Sequence, residues 1–265
     1  MIYTTQLEEM ISYILYSSYL IGDKSVSLLI MAQPESGKTT ALSKFKQNNG
    51  TAFISDLTYS GMIELLPRFE RRELRTILIP DMLKLLSRKA TFSANLVTFM
   101  NEFIEEGISA IYTYKTTLRF ETPVRGNFIA CVTSGEALNN LGYWTKVGFV
   151  SRLIPFSYGY SNEAINKIFD FIISGQHTKD IYTKLKLPKK EKEVTLSPEL
   201  ANELKLVSTR IATEAKLFGF RIQKNLQTLS KAVALYNGET EVTKQHIDKV
   251  IKLTNWMNLK FTPLE

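Results

Sequence analysis

The sequence contains little of the chemistry from which disulfide frameworks and metal centres are built. Cys131 is the single cysteine among 265 residues, so no internal disulfide can form, and its position in the apolar run NFIACVTS predicts a small core residue. The two histidines, His177 and His246, lie far apart in the sequence, which excludes the usual zinc patterns. A bound metal would therefore need oxygen ligands.

The sequence also lacks long apolar segments. No stretch approaches the roughly 18 uninterrupted apolar residues of a membrane-spanning helix, and the N-terminal MIYTTQLEEM has no basic start of the kind that secretory signals carry. We therefore expect an intracellular, cytoplasmic protein with no membrane partner. Hydrophobic residues make up 44% of the chain and charged residues 22%, which is typical of a globular protein.

The net charge of +7 would suit a polyanionic partner such as DNA or RNA. Charge alone does not decide this point, because the basic residues are scattered along the chain. One short run, PKKEKE at 188–193, mixes both signs of charge and is more typical of a solvated linker than of a binding patch.

Apolar runs alternate with helical patterns over the first 175 residues. An opening helix is predicted over 5–20, and buried strands are predicted at 26–31, 51–55, 75–80 and 127–133. One intervening segment, SANLVTFMNEFIEEG, has helical spacing of its apolar residues and ends at Gly107. Such alternation predicts an α/β domain with a parallel sheet that helices cover on both faces.

The pattern changes twice along the chain. Residues 108–126 are rich in Thr, Tyr and Ile and partly alternate, which predicts a β-hairpin inserted before the strand at 127–133. Beyond about residue 175 only helices are expected. Ser197-Pro198 begins one, Thr243 caps another, and between them an apolar stripe marks a third. The apolar stripe of the third helix consists of Ile222, Leu226, Leu229 and Val233. We therefore predict an α/β domain over 1–175 and a small helical domain over 176–265.

The segment MAQPESGKTTALSKF, residues 31–45, matches most of the phosphate-binding P-loop pattern. That pattern is Gly, four free residues and then Gly-Lys-Ser/Thr. Here Ala32 takes the place of the first glycine, while Gly37, Lys38 and Thr39 complete the pattern. Alanine is the mildest departure, since it requires only that this position avoid a positive φ or a tight contact.

The context of this segment favours a nucleotide site, because a predicted strand precedes it and a predicted helix follows it. Backbone N–H groups of the loop could surround a phosphate. Lys38 would reach the β- and γ-phosphates, and the Thr39 hydroxyl would bind Mg²⁺. A chance match in an ordinary loop is the alternative. The predicted nucleotide-binding residues are Ala32, Gln33, Pro34, Glu35, Ser36, Gly37, Lys38, Thr39 and Thr40.

A second site element is expected at the end of another buried strand. Asp81 directly follows the apolar run RTILIP, where its carboxylate could help to hold the metal opposite the loop. The alternative is a helix N-cap aspartate, and both roles could hold together.

Several segments now occur in the order found in AAA+ ATPases: AQPESGKTT, ILIPD, NFIACVTSGEAL, GFVSRLIPFSY and GFRIQKNLQTLSKAVALYNGETEVTKQHIDKVIKL. The chain resembles this family over nearly its whole length, and the P-loop is the most specific match. The resemblance implies a P-loop NTPase fold with a small all-helical lid domain, ATP and Mg²⁺ as cofactors, and a homo-oligomeric ring or partial ring. ATP would lie between the loop and the lid, and hydrolysis would shift the lid relative to the α/β domain.

The resemblance also implies roles for particular residues. Thr133 or Ser134 matches the polar sensor of the γ-phosphate and the attacking water, although a hydroxyl that caps the following helix is an equal alternative. Arg152 matches the arginine finger that reaches the nucleotide of a neighbouring subunit, the alternative being a surface ion pair. Arg221 matches the second sensor of the lid, and a simple exposed arginine would also fit.

The sequence departs from the family at Asp81. Many relatives carry Asp-Glu here, whereas this chain has Pro80-Asp81-Met82. Either Asp81 serves the metal and another group orients the water, or Asp81 takes the place of the glutamate and Thr39, phosphates and water hold the metal.

The predicted hairpin resembles that of the AAA+ branch that contains the minichromosome maintenance helicases. In DNA-moving members of that branch such hairpins point into the pore of the ring. Tyr112, Tyr114, Lys115 and Arg119 would then offer stacking faces and phosphate contacts. An ordinary hairpin with solvent-facing cations is the alternative. The chain also resembles compact ATPases of phages and plasmids in size and general pattern.

We therefore expect an enzyme, a Mg-ATP-dependent AAA+ ATPase that acts on DNA in replication as an oligomeric motor or switch of the helicase or helicase-loader type. Two alternatives remain open. One is a protein-remodelling chaperone that resembles the MoxR group and takes a protein substrate. The other is an ATP-controlled binding protein with little turnover.

Overall fold

The computed structural model describes residues 4–87, 90–114, 116–175 and 181–258. Five of its strands form one parallel sheet in the order β2-β3-β6-β1-β7, and two more form an antiparallel hairpin, β4-β5. The strands are β1 (Ser27–Ala32), β2 (Thr51–Phe53), β3 (Thr76–Ile79), β4 (Ile108–Tyr112), β5 (Thr117–Val124), β6 (Asn127–Thr133) and β7 (Leu153–Ser157).

The four predicted sheet strands and the predicted hairpin are confirmed, while β7 escaped prediction. Pro155 interrupts its short apolar run, and a proline argues against a central strand. β7 is the edge strand of the sheet and pairs with β1, so the missing N–H is tolerated there. Phe156 also forms an isolated antiparallel bridge with Met257. The carbonyl of Pro155 still accepts a hydrogen bond, from the backbone N–H of Asn258 at 2.9 Å.

Helices cover both faces of the sheet in the described part of the chain, as the alternating pattern predicts. They are α1 (Thr5–Ser17), α2 (Lys38–Ser43), α3 (Tyr59–Glu70), α4 (Leu83–Leu86), α5 (Ala90–Glu105), α6 (Ser134–Lys146), α7 (Asn162–Ile173), α8 (Pro198–Glu214), α9 (Phe220–Tyr236) and α10 (Lys244–Leu253).

The sheet separates two hydrophobic cores. Every residue of β1 is buried, and alternate side chains point to opposite faces because a strand has a period of two. Leu28 and Ile30 join the core that contains α1, α8, α9 and α10, whereas Leu29 and Met31 join the core that contains α3, α5 and the hairpin. Cys131 is buried in the first core, as predicted, and burial raises the pKa of its thiol to about 12.

A buried polar group links the strands at their amino ends. Asn127 is completely buried, and its amide nitrogen donates to the carbonyls of Val26 at 2.7 Å and Ile14 at 3.3 Å. Its side-chain oxygen accepts a hydrogen bond from the Thr76 hydroxyl at 2.7 Å. One amide therefore connects α1, the approach to β1, β3 and β6.

The C-terminal helices begin as predicted. The Ser197 hydroxyl accepts from the backbone N–H of Leu200 at the start of α8, where Pro198 is the first residue. Thr243 and His246 form a reciprocal capping box at the start of α10. The predicted apolar stripe of α9 is buried.

These three helices share one continuous core with α1 and the sheet. The ring of Tyr236 on α9 makes edge contacts with Tyr13 and Tyr16 of α1 at centroid distances of 5.2 Å. An ion pair also joins Lys231 to Asp23 at 2.8 Å. The C-terminal helices are therefore packed against the α/β part over an apolar interface.

The segment PKKEKE is largely exposed, as expected of a solvated connection. The segment crosses the surface extended, but it is attached there. Backbone hydrogen bonds join Lys192 to Tyr19 and Ile21, and Glu191 pairs with the buried Arg75 at 2.9 Å. A carboxylate that compensates a buried guanidinium holds this connection in place.

Candidate functional site

The loop between β1 and α2 lies at the carboxyl edge of the parallel sheet, where α/β proteins bind ligands. Ala32 is the last residue of β1 and pairs with Thr133 of β6. Ala32 therefore has ordinary strand conformation without a positive φ, so this position does not need glycine. Positive φ values occur further along the loop, at Glu35 (62°) and Gly37 (79°), and glycine suits the second position.

The Lys38 ammonium group lies inside this loop. Its nitrogen donates to the carbonyl oxygens of Ala32 at 2.9 Å and Gln33 at 2.6 Å, and to the Ser36 hydroxyl at 3.2 Å. Only 8% of the lysine is exposed. Burial lowers the pKa of Lys38, while interaction with Cys131 and Asp81 opposes this shift. The loop thus holds a buried positive charge at its centre.

Thr39 and Asp81 meet at the end of β3. The Thr39 hydroxyl donates to the carbonyl oxygen of Pro80 at 3.1 Å, and Thr39 and Thr40 are exposed, as are Gln33, Pro34 and Glu35. One carboxylate oxygen of Asp81 accepts from the backbone N–H of Leu83 at 2.9 Å. The N-cap residue of α4 is Met82, so Asp81 is not the N-cap that the alternative expected, although it restrains the turn into the helix from one residue earlier. Its second oxygen is the one that a metal could use.

Among the described residues, no group of three or more His, Cys, Asp or Glu side chains could hold a metal ion. This does not argue against magnesium. Mg²⁺ at phosphate sites commonly uses one or two carboxylates together with substrate phosphates and water. The oxygen donors of Thr39 and Asp81 fit that requirement.

Thr133 and Ser134 lie between the two parts of this site, because β6 separates β1 from β3. The Thr133 hydroxyl accepts from the backbone N–H of Glu136 at 3.3 Å and caps α6, and Ser134 is buried. The structure therefore shows the capping role of Thr133, which is paired with Ala32 on the neighbouring strand.

Two tyrosines from the end of β7 support the loop, and sequence reasoning missed both. Tyr158 and Tyr160 each donate a hydrogen bond to the carbonyl oxygen of Ser36, at 3.1 and 2.7 Å. Burial raises the pKa of both phenols. The segment SYGYS that follows the apolar run of β7 was the available sequence signal.

A pocket of about 210 Å³ opens next to these tyrosines. Its walls come from the start of α1, the end of β7 and the segment after α10. Its lining combines aromatic rings with the polar side chains of Thr4, Gln6 and Ser161. Its lining includes Leu7, Phe156, Tyr158, Tyr160 and Trp256.

The structure brings Arg152 and Arg221 together, at the opposite edge of the sheet. Arg152 directly precedes β7, in a 3₁₀ turn over Val150–Arg152, and Arg221 is in the first turn of α9. Both face Glu105, with Nε to Oε2 distances of 3.7 Å for Arg152 and 3.2 Å for Arg221. Neither arginine is near the Lys38 loop of the same chain, since β1 alone spans about 20 Å between the two edges.

The hairpin carries exposed aromatic and basic groups. Tyr114 is fully exposed, and Tyr112 is also exposed. The guanidinium of Arg119 lies over the Tyr112 ring, 5.4 Å from its centroid, and donates to the hydroxyl of the same tyrosine. Lys115, the fourth predicted nucleic-acid contact, lies outside the described residues, as does His177.

Neither a comparison with models of known protein families nor a comparison with curated proteins gives a match. None of the helices in the described ranges is long and apolar enough to cross a membrane.

Proposed function

We propose that this protein is a Mg-ATP-dependent ATPase of the AAA+ type, which works on DNA in replication as an oligomeric motor or switch. The observation that carries the proposal is the position of Lys38. Its ammonium group is buried in the turn after a central parallel strand, next to Thr39 and the Pro80-Asp81 end of β3. A buried lysine surrounded by backbone groups at this edge is suited to phosphate.

Phosphate oxygens would replace the present partners of Lys38. The ammonium now donates to two neutral carbonyls and one hydroxyl, and hydrogen bonds to a charged acceptor are stronger. Gly37 has a left-handed backbone, a conformation that also occurs in the backbone nests that bind anions. The adjoining pocket carries aromatic rings from Tyr158 and Trp256, against which the base of the nucleotide would stack.

Thr39 and Asp81 would hold magnesium with one hydroxyl and one carboxylate oxygen. When bound, the metal neutralises charge on the β- and γ-phosphates. Thr133, on the strand between them, would orient the attacking water through its hydroxyl. Each of these groups is already attached to the backbone of a strand end or a helix start, which limits its movement.

Arg152 supports a site shared between subunits. It lies about 20 Å of strand length from the Lys38 loop of its own chain, so it could reach a nucleotide only across a contact with another copy. The same argument applies to Arg221, which accompanies it. A homo-oligomeric ring or partial ring with one chain supplying the loop and the next supplying the arginines would satisfy both positions.

DNA is the proposed substrate because of the hairpin. Tyr114 and Tyr112 offer exposed rings for base stacking, and Arg119 offers a phosphate contact. The net charge of +7 favours a polyanion at long range.

A second candidate is an ATP-controlled binding protein with little turnover. It is favoured by Asp81, since one oxygen of this carboxylate is occupied by the N–H of Leu83 and methionine follows it in the sequence. Nucleotide would still bind at Lys38, but no glutamate at this strand end would activate water.

Steady-state ATP hydrolysis over a series of protein concentrations, with and without single- and double-stranded DNA, tests these proposals. The variants are Lys38→Ala and, as a matched control, Lys252→Ala, which removes an exposed lysine of α10. Turnover that rises with concentration, is lost in Lys38→Ala alone and increases with DNA supports the motor. An ATP hydrolysis rate that is the same with and without DNA would overturn the proposed action on DNA. Tight ATP binding without hydrolysis would favour the ATP-controlled binding protein.

A further inference from the structure

One carboxylate at the amino edge of the sheet faces three cations. Glu105 is the last residue of α5, and its side chain is 19% exposed. Lys24 Nζ lies 2.9 Å from Oε1, while the Nε atoms of Arg221 and Arg152 lie 3.2 and 3.7 Å from Oε2. Residues from α5, α9, the approach to β1 and the approach to β7 therefore meet at a single acidic group.

Other contacts fix where each guanidinium can lie. Arg152 donates through Nη1 to the carbonyl of Gly148 at 2.8 Å, and Arg221 donates through Nη1 to the Ser151 hydroxyl at 3.2 Å. Gly148 has a φ of 70°, and a Cβ there would approach Arg152 Nη1 to 2.6 Å. A side chain at this position would therefore displace the Arg152 guanidinium, and the positive φ itself favours glycine.

The electrostatics make Glu105 necessary to this arrangement. Burial and the charge of Arg221 both lower the pKa of Arg152, and Glu105 opposes this shift. Burial would raise the pKa of Glu105, but Lys24, Arg221 and Arg152 lower it below its ordinary value. Without the carboxylate, two guanidinium groups of like charge would repel each other in a partly buried place.

The contacts described above do not use all the hydrogen-bond donors of Arg152 and Arg221. The buried Nε of Arg152 makes no hydrogen bond within the described ranges, because its 3.7 Å distance to Glu105 is an ion pair and too long for a hydrogen bond. Besides the Nη1 bonds given above, Arg221 donates through Nε to Oε2 of Glu105 at 3.2 Å. Each guanidinium has five N–H donors, so these contacts leave donors of both arginines for an incoming anion.

We propose that Glu105 is a positioning residue that holds Arg152 and Arg221 side by side, so that both are presented together to the nucleotide phosphates bound by a second copy of this chain. This inference rests on the proposed function. Glu105 would touch no substrate itself. Through Glu105, the two arginines would reach the loop of the neighbouring chain in a fixed relative orientation.

The first test separates positioning from folding. Glu105→Gln keeps the shape of the side chain and removes its charge, and Glu102→Gln, an exposed glutamate on the same helix, is the matched control. We expect kcat of Glu105→Gln to fall on the order of ten- to a hundredfold, as for a small displacement of catalytic groups. The Kd for a non-hydrolysable ATP analogue should stay close to wild type, which shows that the variant is folded. Its thermal unfolding midpoint should fall, because three cations lose their common carboxylate, and every property of Glu102→Gln should match wild type.

The second test is subunit mixing. Lys38→Ala lacks the loop lysine but retains its arginines, whereas Glu105→Gln retains the loop. At a mixed contact, the loop of a Glu105→Gln chain meets the intact arginines of a Lys38→Ala chain, so a mixture of these two impaired variants should hydrolyse ATP faster than the sum of the two variants alone. Mixing Lys38→Ala with the double variant Lys38→Ala/Glu105→Gln should give no such increase.

A mixture of Lys38→Ala and Arg152→Ala distinguishes failure of the inference from failure of the proposed function. If that mixture recovers activity and the Glu105→Gln mixture does not, Glu105 acts within its own chain and the inference is overturned, while the shared site stands. Wild-type turnover by Glu105→Gln would overturn it equally. If neither mixture recovers activity, the shared site itself fails and the inference fails with it.

Discussion

The hydroxyl group of Tyr160 donates a hydrogen bond of 2.7 Å to the carbonyl oxygen of Ser36, inside the loop that surrounds Lys38. Tyr158 donates to the same oxygen at 3.1 Å. Two residues from the end of β7 thus share one acceptor in the loop after β1. The edge strand that sequence analysis missed is the one that supports the loop that sequence analysis found.

Replacing Tyr158 with phenylalanine should lower the free energy of unfolding by about 1 kcal/mol, the usual net value of one hydrogen bond. The nucleotide should also bind more weakly, because Ser36 loses one of its two restraints. Urea denaturation and calorimetric titration with an ATP analogue measure the two effects. Tyr59→Phe, at an exposed tyrosine on α3, should change neither, and an unaltered Tyr158→Phe would contradict the supporting role.

Nucleotide affinity should fall as pH rises through the lowered pKa of Lys38, with a midpoint below the ordinary lysine value of about 10.4. Burial lowers this pKa, and only the ammonium form attracts phosphate. Folding does not explain such a loss, because a group whose pKa is lowered in the folded state makes stability rise with pH in the window between its folded and unfolded pKa values. Titrations of Lys38→Arg, whose charge persists, should lack this midpoint.

Replacing Gly148 with alanine should reduce kcat while nucleotide binding stays unchanged. The new Cβ would displace Arg152 from its contact with the Gly148 carbonyl. Gly22 makes a matched control, since its φ is 80° and a Cβ there meets no atom within 4 Å. Both variants carry the same type of backbone strain. Equal losses of kcat in the two would attribute the effect to strain rather than to Arg152.

Asn127→Ala should lower the free energy of unfolding by about 2–3 kcal/mol, because it leaves the Val26 carbonyl and the Thr76 hydroxyl buried without their partner. Asn139→Ala, at an exposed position on α6, should change stability by less than about 0.5 kcal/mol. Urea unfolding of both variants makes the comparison. A small effect at Asn127 would mean that the strand ends are held mainly by apolar packing.

Replacing Tyr114 with alanine should weaken binding of single-stranded DNA by about 1–3 kcal/mol, the typical value of one stacked base. Joint replacement of Lys115 and Arg119 should instead reduce the salt dependence of binding, by about one charge for each phosphate group that the variant no longer neutralises. Fluorescence anisotropy at several salt concentrations measures both. Tyr143→Ala on α6, where the ring is also exposed, should leave DNA affinity unchanged, and equal losses at Tyr143 and Tyr114 would argue against the hairpin.

Local patterns were sufficient for much of the fold. Continuous apolar runs identified β1, β3 and β6, because strands buried on both faces need no polar alternation. Helix starts at Ser197 and Thr243 followed from the capping chemistry of those residues. The sequence did not predict β7, because Pro155 argues against a strand unless that strand is known to lie at the edge of the sheet. Which strand lies at the edge depends on the order of all the strands.

The candidate site was predictable where it is contiguous in sequence. The loop at 32–40 carries its own pattern, and Asp81 follows directly from the end of an apolar run. The tyrosines that hold Ser36 come from more than 120 residues away, and Glu105 meets Arg221 across 116 positions. Contacts between residues so far apart in the sequence depend on tertiary packing, and a local sequence pattern does not predict them.

One of the two hydrophobic cores contains side chains of α1, of the sheet and of the C-terminal helices. This shared core limits how far the C-terminal helices could move when the nucleotide changes. Opening a hinge between these parts would expose the ring contacts of Tyr236 with α1 and break the pair between Lys231 and Asp23. We expect each chain to behave as a stiff body, so that exchange of ATP for ADP changes the angle between adjacent copies. The loop of one chain and the arginine pair of the next would then form the joint at which that angle is set.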